Sequence, residues 1–106
     1  MKIRHCYTTA NLGIAGVFTS DWQQHKSQRL QGTIYADQAS ALNGIVVEQS
    51  PNGGVTVTHR ATQTLFTGDR ILFDIQLTSA WVRIIYTNGG VAQGAFSLDA
   101  NLVGDA

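Results

Sequence analysis

Charged residues are scarce and evenly matched in this chain of 106 residues. Lys and Arg together number seven, Asp and Glu together number seven, and charged residues make up 13% of the sequence. The basic residues are scattered between Lys2 and Arg83. Because nucleic-acid binding depends on clustered cations that displace counterions from phosphates, we expect no nucleic-acid partner. A surface this poor in charge fits either a face covered in an assembly or a solvated surface of Thr, Gln and Ser.

Cysteine and long apolar runs are also nearly absent. Cys6 is the single cysteine, which excludes an intramolecular disulfide and a cysteine zinc site. We interpret it as a small buried hydrophobe rather than a reactive thiol. No run approaches the roughly 18 to 20 apolar residues of a membrane span, so we expect no membrane partner. The start, MKIRHCYTTANLG, lacks the apolar core of a signal peptide, and we expect cytoplasmic synthesis and retention unless the protein leaves within a larger assembly.

Helical periodicity is missing, and alternation of apolar and polar residues takes its place. The best helical candidate, Asp37–Leu42, is about one turn long. Alternation with a period of two predicts strands that bury one face. The predicted strands cover residues 2–9, 17–22, 29–38, 45–49, 55–61, 70–78, 81–86 and 92–102.

Two glycine-rich segments predict hairpins. Asn88-Gly89-Gly90 stands between two long alternating segments, and Asn-Gly favours a tight turn because both residues tolerate positive φ. Residues 51–54, PNGG, predict a second turn, with Val55 and Val57 facing inward on the returning strand. Seven to nine short strands indicate an all-β fold, a single antiparallel β-sandwich of jelly-roll-like type over residues 1–106. Residues 1–16 are expected to form an N-terminal arm or an edge strand.

No group of residues predicts catalysis or metal binding. His5, His25 and His59 are 20 and 34 residues apart, which matches no compact metal motif. The seven carboxylates form no pair of glycosidase type, and no nucleophile elbow or phosphate-binding loop is present. Calcium binding by loop aspartates is the stronger of the metal alternatives, although the sequence has no Asp-rich loop. We therefore expect no enzymatic activity, no catalytic residue, no cofactor and no metal.

Aromatic residues mark the candidate binding surface. Trp81, Arg83 and Ile85 alternate with apolar residues of the same strand, so this strand is apolar on both faces. Trp and Arg are enriched as anchors of protein interfaces, and an exposed ring can also stack on a sugar. Alternatively, Trp81 caps the end of the core and Arg83 lays its stem across it. The candidates for protein contact or glycan stacking are Trp22, Tyr35, Trp81, Arg83 and Ile85.

Several short segments follow one another in an order found in a viral family. The segments FTSDW, RLQGTIYADQASAL, IVVEQSPNGG and AWVRIIYTNGGVAQGAFSLDA lie between about Phe18 and Leu98. This order resembles a small β-sandwich module of tailed-phage virion structural proteins, of the head decoration, head fibre or tail adhesin type. Residues 1–16 lie outside the resemblance, and the family's extension after the PNGG turn is missing.

The resemblance implies a non-enzymatic virion structural protein. It favours a capsid decoration protein on the capsid surface of the virion, which binds the major capsid protein on the outside of the assembled shell, with a homotrimer as one arrangement. Residues 1–16 would be the arm that contacts the capsid. The alternative is a carbohydrate-binding or host-recognition module of a tail or head fibre, which binds a host surface glycan through Trp22, Trp81 or Tyr35.

Overall fold

Two antiparallel β-sheets form the molecule, as the sequence predicts. The structure, a computed structural model, describes residues 4–26 and 28–104, with side-chain surroundings from Thr8 onward. Nine strands and no helix occur among these residues. The strands are β1 Arg4–Thr8, β2 Val17–Thr19, β3 Gln23–Gln24, β4 Arg29–Ala36, β5 Ser40–Ser50, β6 His59–Gln63, β7 Arg70–Gln76, β8 Trp81–Asn88 and β9 Phe96–Val103. The prediction of an all-β sandwich is confirmed.

The strand order places most pairs of consecutive strands in opposite sheets. Sheet A has the order β1-β9-β4-β7, and sheet B has the order β2-β8-β5-β6. β8 pairs with β5 along one of its edges. Both β2 and β3 pair with the opposite edge of β8. Only β5 and β6 form a hairpin between full strands, with Glu48 opposite Arg60. The remaining connections after β3 cross from one sheet to the other.

The core lies between the sheets and is built by the predicted alternation. In β8 and β9 every second residue is buried, and the same pattern gives β7 a half-buried inner face. Alternate side chains of a strand point to opposite faces of its sheet, so one face of each of these strands can be mostly apolar. The buried apolar residues are Leu30, Ile34, Ala36, Ile45, Val47, Leu65, Leu77, Val82, Ile84, Tyr86, Phe96, Leu98, Ala100 and Leu102.

The predicted hairpin at Asn88-Gly89-Gly90 is wrong. β8 belongs to sheet B and β9 to sheet A, so this segment crosses between the sheets. Asn88 remains in β8 and is 1% exposed. Its amide Nδ2 donates to the carbonyl oxygens of Gly13 at 2.8 Å and Val91 at 2.9 Å. The Asn side chain thus joins two loops at this end of the sandwich, where a tight turn would need its backbone at positive φ.

The second predicted hairpin exists, but its return strand begins later. β6 starts at His59 rather than Val55, and Val55 and Val57 are 86% and 38% exposed, so their predicted inward positions are wrong. Gly53 and Gly54 both have positive φ, at 73° and 100°. They widen the turn into a loop over residues 51–58, which shifts the pairing of β5 with β6 away from that of a tight turn.

Other elements of the structure begin or end a few residues away from their predicted positions. The best helical candidate in the sequence, Asp37–Leu42, forms no helix, because β5 begins at Ser40 and pairs there with Asn88. β2 ends at Thr19, short of Trp22, and β9 begins at Phe96 instead of residue 92. β1 is an edge strand of sheet A, while residues 1–3 and the surroundings of Cys6 lie outside the described part. Among the described residues, no helix has the length and apolar character needed to cross a membrane.

Candidate binding face

Four of the five candidate residues lie on or next to the outer face of sheet B. β8 turns Val82 and Ile84 toward the core, so Trp81, Arg83 and Ile85 point outward. Trp22 precedes β3 and reaches the same face, where it contacts Arg83. Because β8 has paired strands on both edges, Trp81, Arg83 and Ile85 occupy the middle of the sheet rather than its margin.

A transverse row of four side chains crosses this face, and we call it the Glu48 row. Glu48 on β5 is the register partner of Arg60 on β6 and of Arg83 on β8. Directly opposed residues of antiparallel strands bring their side chains to within contact distance on the same face. Trp22 completes the row beyond Arg83.

The carboxylate of Glu48 is held by both neighbouring arginines. Arg60 donates to Oε2 through Nε at 3.0 Å and Nη2 at 2.5 Å. Arg83 donates to Oε1 through Nε at 2.8 Å, and its Nη2 lies 2.7 Å from the same oxygen. The Glu48 side chain is 3% exposed, against 28% for Arg83 and 60% for Arg60. A buried carboxylate bound on both oxygens is a rigid centre for this face.

Opposing effects set the pKa of Glu48. Burial raises the pKa, but the hydrogen bonds and positive charges of Arg60 and Arg83 outweigh burial and hold the pKa below its ordinary value. Glu48 is therefore ionised at neutral pH. Two guanidinium groups around one carboxylate leave the row with a net positive charge, and Arg60 is the more exposed of the two cations.

Arg83 is fixed from its other side by an aromatic ring. Its guanidinium carbon lies 4.6 Å from the ring centre of Trp22. A guanidinium group over an indole face gains a cation–π interaction. Since Glu48 and Trp22 hold the same group, Arg83 has little rotational freedom left to lose when a partner binds.

The loop over residues 51–58 folds onto the end of this face. The Oγ of Ser50, which is fully buried, accepts hydrogen bonds from the backbone nitrogens of Gly54 at 2.9 Å and Asn52 at 3.2 Å. A Cβ at Gly54 would come within 2.6 Å of Cε2 of Trp22, and one at Gly53 within 3.9 Å of the Trp81 ring. A glycine is thus needed at residue 54, where the loop meets the indole of Trp22.

A less polar strip runs beside the Glu48 row. Ile85 is the register partner of Val46 on one side and of Thr19 on the other, and Val46 is also opposite Thr62 of β6. Ile85 and Val46 are half-buried on the outer face. The outer face of sheet B therefore combines a charged row with an apolar strip, as protein interfaces commonly do.

Tyr35 is not part of this face. It belongs to β4 and points outward from sheet A, where the guanidinium carbon of Arg70 lies 5.2 Å from its ring centre. Trp22 has Arg83 over its ring and Gly54 against its indole nitrogen. Consequently the three rings proposed for glycan stacking do not form one platform.

The described residues contain no group of three or more His, Cys, Asp or Glu side chains arranged to hold a metal ion. Among the histidines, Nδ1 of His59 lies 3.1 Å from Oγ1 of Thr58 and Nε2 lies 3.5 Å from Oγ1 of Thr78. His25 follows β3, and the side chain of His5 lies outside the described part.

Sequence reasoning missed Glu48 and Arg60. A single carboxylate in the apolar segment IVVEQ was the available signal, because a charge in such a strand needs a partner on a neighbouring strand. The partner could be named only with the correct register of β5 and β6, which depends on the shape of the loop at residues 51–58.

Comparison with known proteins gives a family and a shared fold. The model of the family described as "Uncharacterised protein YqxG N-terminal domain" matches residues 2–103. The crystal structure of PBSX exported protein XepA has a TM-score of 0.80 at 22% identity, covering 97% of this chain and 38% of the XepA chain. A structure described under "Bacillus endospore appendages form a novel family of disulfide-linked pili" has a TM-score of 0.51 at 15% identity, covering 97% of this chain and 89% of the other.

At these sequence identities, the similarity to the two structures shows a shared fold and does not extend to function. The chain corresponds to 38% of the length of XepA. No curated protein matches it. The match over residues 2–103 shows that the chain belongs to the YqxG N-terminal domain family.

Proposed function

We propose that the chain is a non-enzymatic structural and binding domain of an exported or virion assembly, with the outer face of sheet B as its protein-binding face. The observation that carries this proposal is the fixed position of Arg83 between Glu48 and Trp22. Arg and Trp are common anchors of interfaces, and a side chain already held in place loses less entropy on binding. Ile85 beside this anchor supplies apolar area.

The absence of enzymatic activity is part of the proposal. A general acid or base must exchange a proton near neutral pH. Glu48 is the buried carboxylate of this face, and Arg60 and Arg83 keep its pKa low and occupy both oxygens. This carboxylate is therefore suited to holding the sheet in shape rather than to proton transfer.

Within this class, we propose a capsid decoration protein that binds the major capsid protein on the outside of the shell, with a homotrimer as one arrangement. The resemblance of its segments to tailed-phage virion modules supports the assignment. The strand orders β1-β9-β4-β7 and β2-β8-β5-β6 support a jelly-roll-like topology. A similar fold in a protein named as exported and in endospore appendages is compatible with a place outside the cell.

Cosedimentation with shells tests this proposal. The purified chain is mixed with expanded empty capsids of the phage or prophage that encodes it, and bound protein is quantified against free protein. We expect Ile85→Glu to weaken binding at least tenfold, because it places a charge in the apolar strip. Leu72→Glu is the matched control, since Leu72 is exposed on the other sheet.

Binding of the unsubstituted chain tests whether the capsid is the partner, and binding of Ile85→Glu tests whether the outer face of sheet B is the contact surface. If the unsubstituted chain fails to cosediment with the shells, the decoration role is wrong. If it binds and Ile85→Glu binds equally well, the capsid is the partner but the outer face of sheet B is not the contact surface.

Glycan recognition is the second candidate. It is favoured by Trp81, which is partly exposed on the outer face of sheet B and follows Ser79 by two residues, and the Ser79 hydroxyl lies 3.1 Å from that of Thr58. A partly exposed aromatic ring can stack on a sugar. We expect host polysaccharides to change the fluorescence of the unsubstituted chain but not that of Trp81→Phe. No change in either protein would exclude this role for Trp81.

A further inference from the structure

Two buried amide side chains hold the loop over residues 9–16 against the end of the sandwich where β8 ends. The backbone nitrogen of Leu12 donates to Oε1 of Gln93 at 2.8 Å, and the backbone nitrogen of Gln93 donates to the Leu12 carbonyl oxygen at 2.9 Å. Nδ2 of Asn88 donates to the same carbonyl oxygen at 3.3 Å and to that of Gly13 at 2.8 Å. Asn88 and Gln93 therefore meet around one residue of the loop.

These contacts decide which atom of each amide remains unused. Because Oε1 of Gln93 accepts the N–H of Leu12, the remaining atom of this amide is the donor Nε2. Because Nδ2 of Asn88 faces carbonyl oxygens, its remaining atom is the acceptor Oδ1. Both residues are buried, at 7% and 1% exposure, and neither Nε2 nor Oδ1 has a hydrogen-bond partner among the described residues.

The hydroxyl group of Tyr86 is a third buried polar group at this place. Tyr86 and Asn88 are alternate residues of β8, so both side chains extend from the inner face of sheet B. The ring of Tyr86 is fully buried, with its centre 4.8 Å from that of Phe96. Burial raises the pKa of Tyr86, and the nearby amide of Gln93 partly offsets this effect. The hydroxyl thus lies near Gln93, yet it has no hydrogen-bond partner within the described part of the chain.

We propose that one water molecule binds between Tyr86, Asn88 and Gln93. The three unused atoms complement a water, since Nε2 donates, Oδ1 accepts and the tyrosine hydroxyl can do either. A water bound to all three makes about three hydrogen bonds, the usual number for an internal water. Without it, three buried polar groups would lower the stability of a chain of this size considerably.

The chemistry of the three atoms favours water over an ion. A metal ion is bound by acceptor atoms only, so the N–H donor of Gln93 does not suit it. An anion is bound by donors, so the carbonyl oxygen of Asn88 does not suit it either. Each of the three side chains is neutral, and a small neutral molecule that both donates and accepts satisfies all of them.

This site goes beyond the proposed function, because it lies in the interior and uses no residue of the outer face of sheet B. The water connects β8 to Gln93, and Gln93 holds Leu12 through two hydrogen bonds. It therefore belongs to the contacts that fix the loop over residues 9–16 on the sandwich.

Removal of the Tyr86 hydroxyl tests whether this group is hydrogen-bonded. A buried hydroxyl without a partner destabilises the fold, so its removal would leave stability unchanged or raise it, whereas removal of a bonded hydroxyl lowers stability. We expect Tyr86→Phe to lower the folding equilibrium constant at least about fivefold in urea unfolding. Tyr35→Phe, on the partly exposed outer face of sheet A, is the matched control and should change the constant by less than about twofold. An unchanged or larger constant for Tyr86→Phe overturns the proposal.

A crystal structure of the unsubstituted chain, at a resolution that shows ordered waters, distinguishes a bound water from direct contacts. We expect one water oxygen within hydrogen-bonding distance of Oη of Tyr86, Oδ1 of Asn88 and Nε2 of Gln93. A direct hydrogen bond between Nε2 and Oη with no water beside them would show that the side chains satisfy one another. That result, or a water that contacts fewer than all three atoms, overturns the proposal.

Discussion

Glu48 and Arg83 lie opposite each other on β5 and β8, with 2.7 Å between Oε1 and Nη2. The pair stands on the outer face of sheet B, yet Glu48 is 2% exposed, because arginine side chains cover it from both neighbouring strands. A carboxylate in this position needs both partners, since a buried charge without compensation destabilises the folded state by several kcal/mol.

Removal of the Glu48 charge is expected to destabilise the protein. Glu48→Gln leaves Arg60 and Arg83 facing each other without the anion between them. We expect the free energy of unfolding to fall by about 2 to 3 kcal/mol. This loss is smaller than that for a wholly buried ion pair, because Arg60 is largely exposed. Urea unfolding at neutral pH measures the change.

Asp74→Asn provides the matched control for this substitution. Asp74 pairs with Arg29 on the outer face of sheet A, where both side chains are about half exposed. Exposed ion pairs contribute little to stability, so we expect no resolved change in the urea midpoint. Equal losses for the two variants would show that burial does not distinguish the two ion pairs.

The same carboxylate predicts how stability depends on acid. Because the arginines lower the pKa of Glu48 in the folded state, its ionised form stabilises the fold. The contribution is complete above the unfolded pKa of about 4.3 and is lost as the pH falls through the lower folded pKa. We expect the gap in unfolding free energy between the unsubstituted chain and Glu48→Gln to close between pH 5 and strong acid, on the order of pH 2. A constant gap over this range would contradict the assignment.

The individual strands could be predicted from the sequence because alternation is a local property. β8 and β9 bury every second residue at the predicted positions, β7 half-buries every second residue, and β4 spans Arg29–Ala36 within the predicted 29–38. These patterns depend only on which side chains can face a core.

The Glu48 row could not be predicted because it depends on register. A tight turn at residues 51–54 would have placed Glu48 opposite Val57, whereas the wider loop places it opposite Arg60. The loop is wide because Gly53 and Gly54 take positive φ and Ser50 binds the backbone of the loop through its hydroxyl group. A shift of a few residues in one loop thus decides which side chains meet.

Asn88, at the other end of the sandwich, also has a role that its sequence context did not predict. Its position before two glycines predicts a turn, but its side chain satisfies carbonyl groups of two other segments. We expect Asn88→Ala to cost about 2 to 3 kcal/mol, because the carbonyl groups of Gly13 and Val91 lose a donor that is itself buried. Thr87→Ala, the adjacent outward residue, is expected to cost less than about 0.5 kcal/mol. Thermal and urea unfolding compare the two variants, and a neutral Asn88→Ala would contradict the bridging role.

Alanine substitutions at Gly53 and Gly54 distinguish the cost of backbone strain from the cost of a side-chain clash. Both have positive φ, so substitution by Ala costs about 1 kcal/mol at either position. At Gly53 the new methyl group would make an ordinary contact with Trp81, whereas at Gly54 it would displace the ring of Trp22. Gly68→Ala, at positive φ with open space around it, measures the strain alone.

We therefore expect Gly54→Ala to destabilise the protein by about 1 to 3 kcal/mol more than Gly53→Ala, within the range for overpacking. The displaced ring of Trp22 would also release Arg83, so the near-ultraviolet circular dichroism of Trp22 in a Trp81→Phe background should change with Gly54→Ala and not with Gly53→Ala. Equal spectra and equal stabilities would mean that the loop moves away without disturbing Trp22. In that case the loop does not hold Trp22 in place, and Glu48 alone must position Arg83.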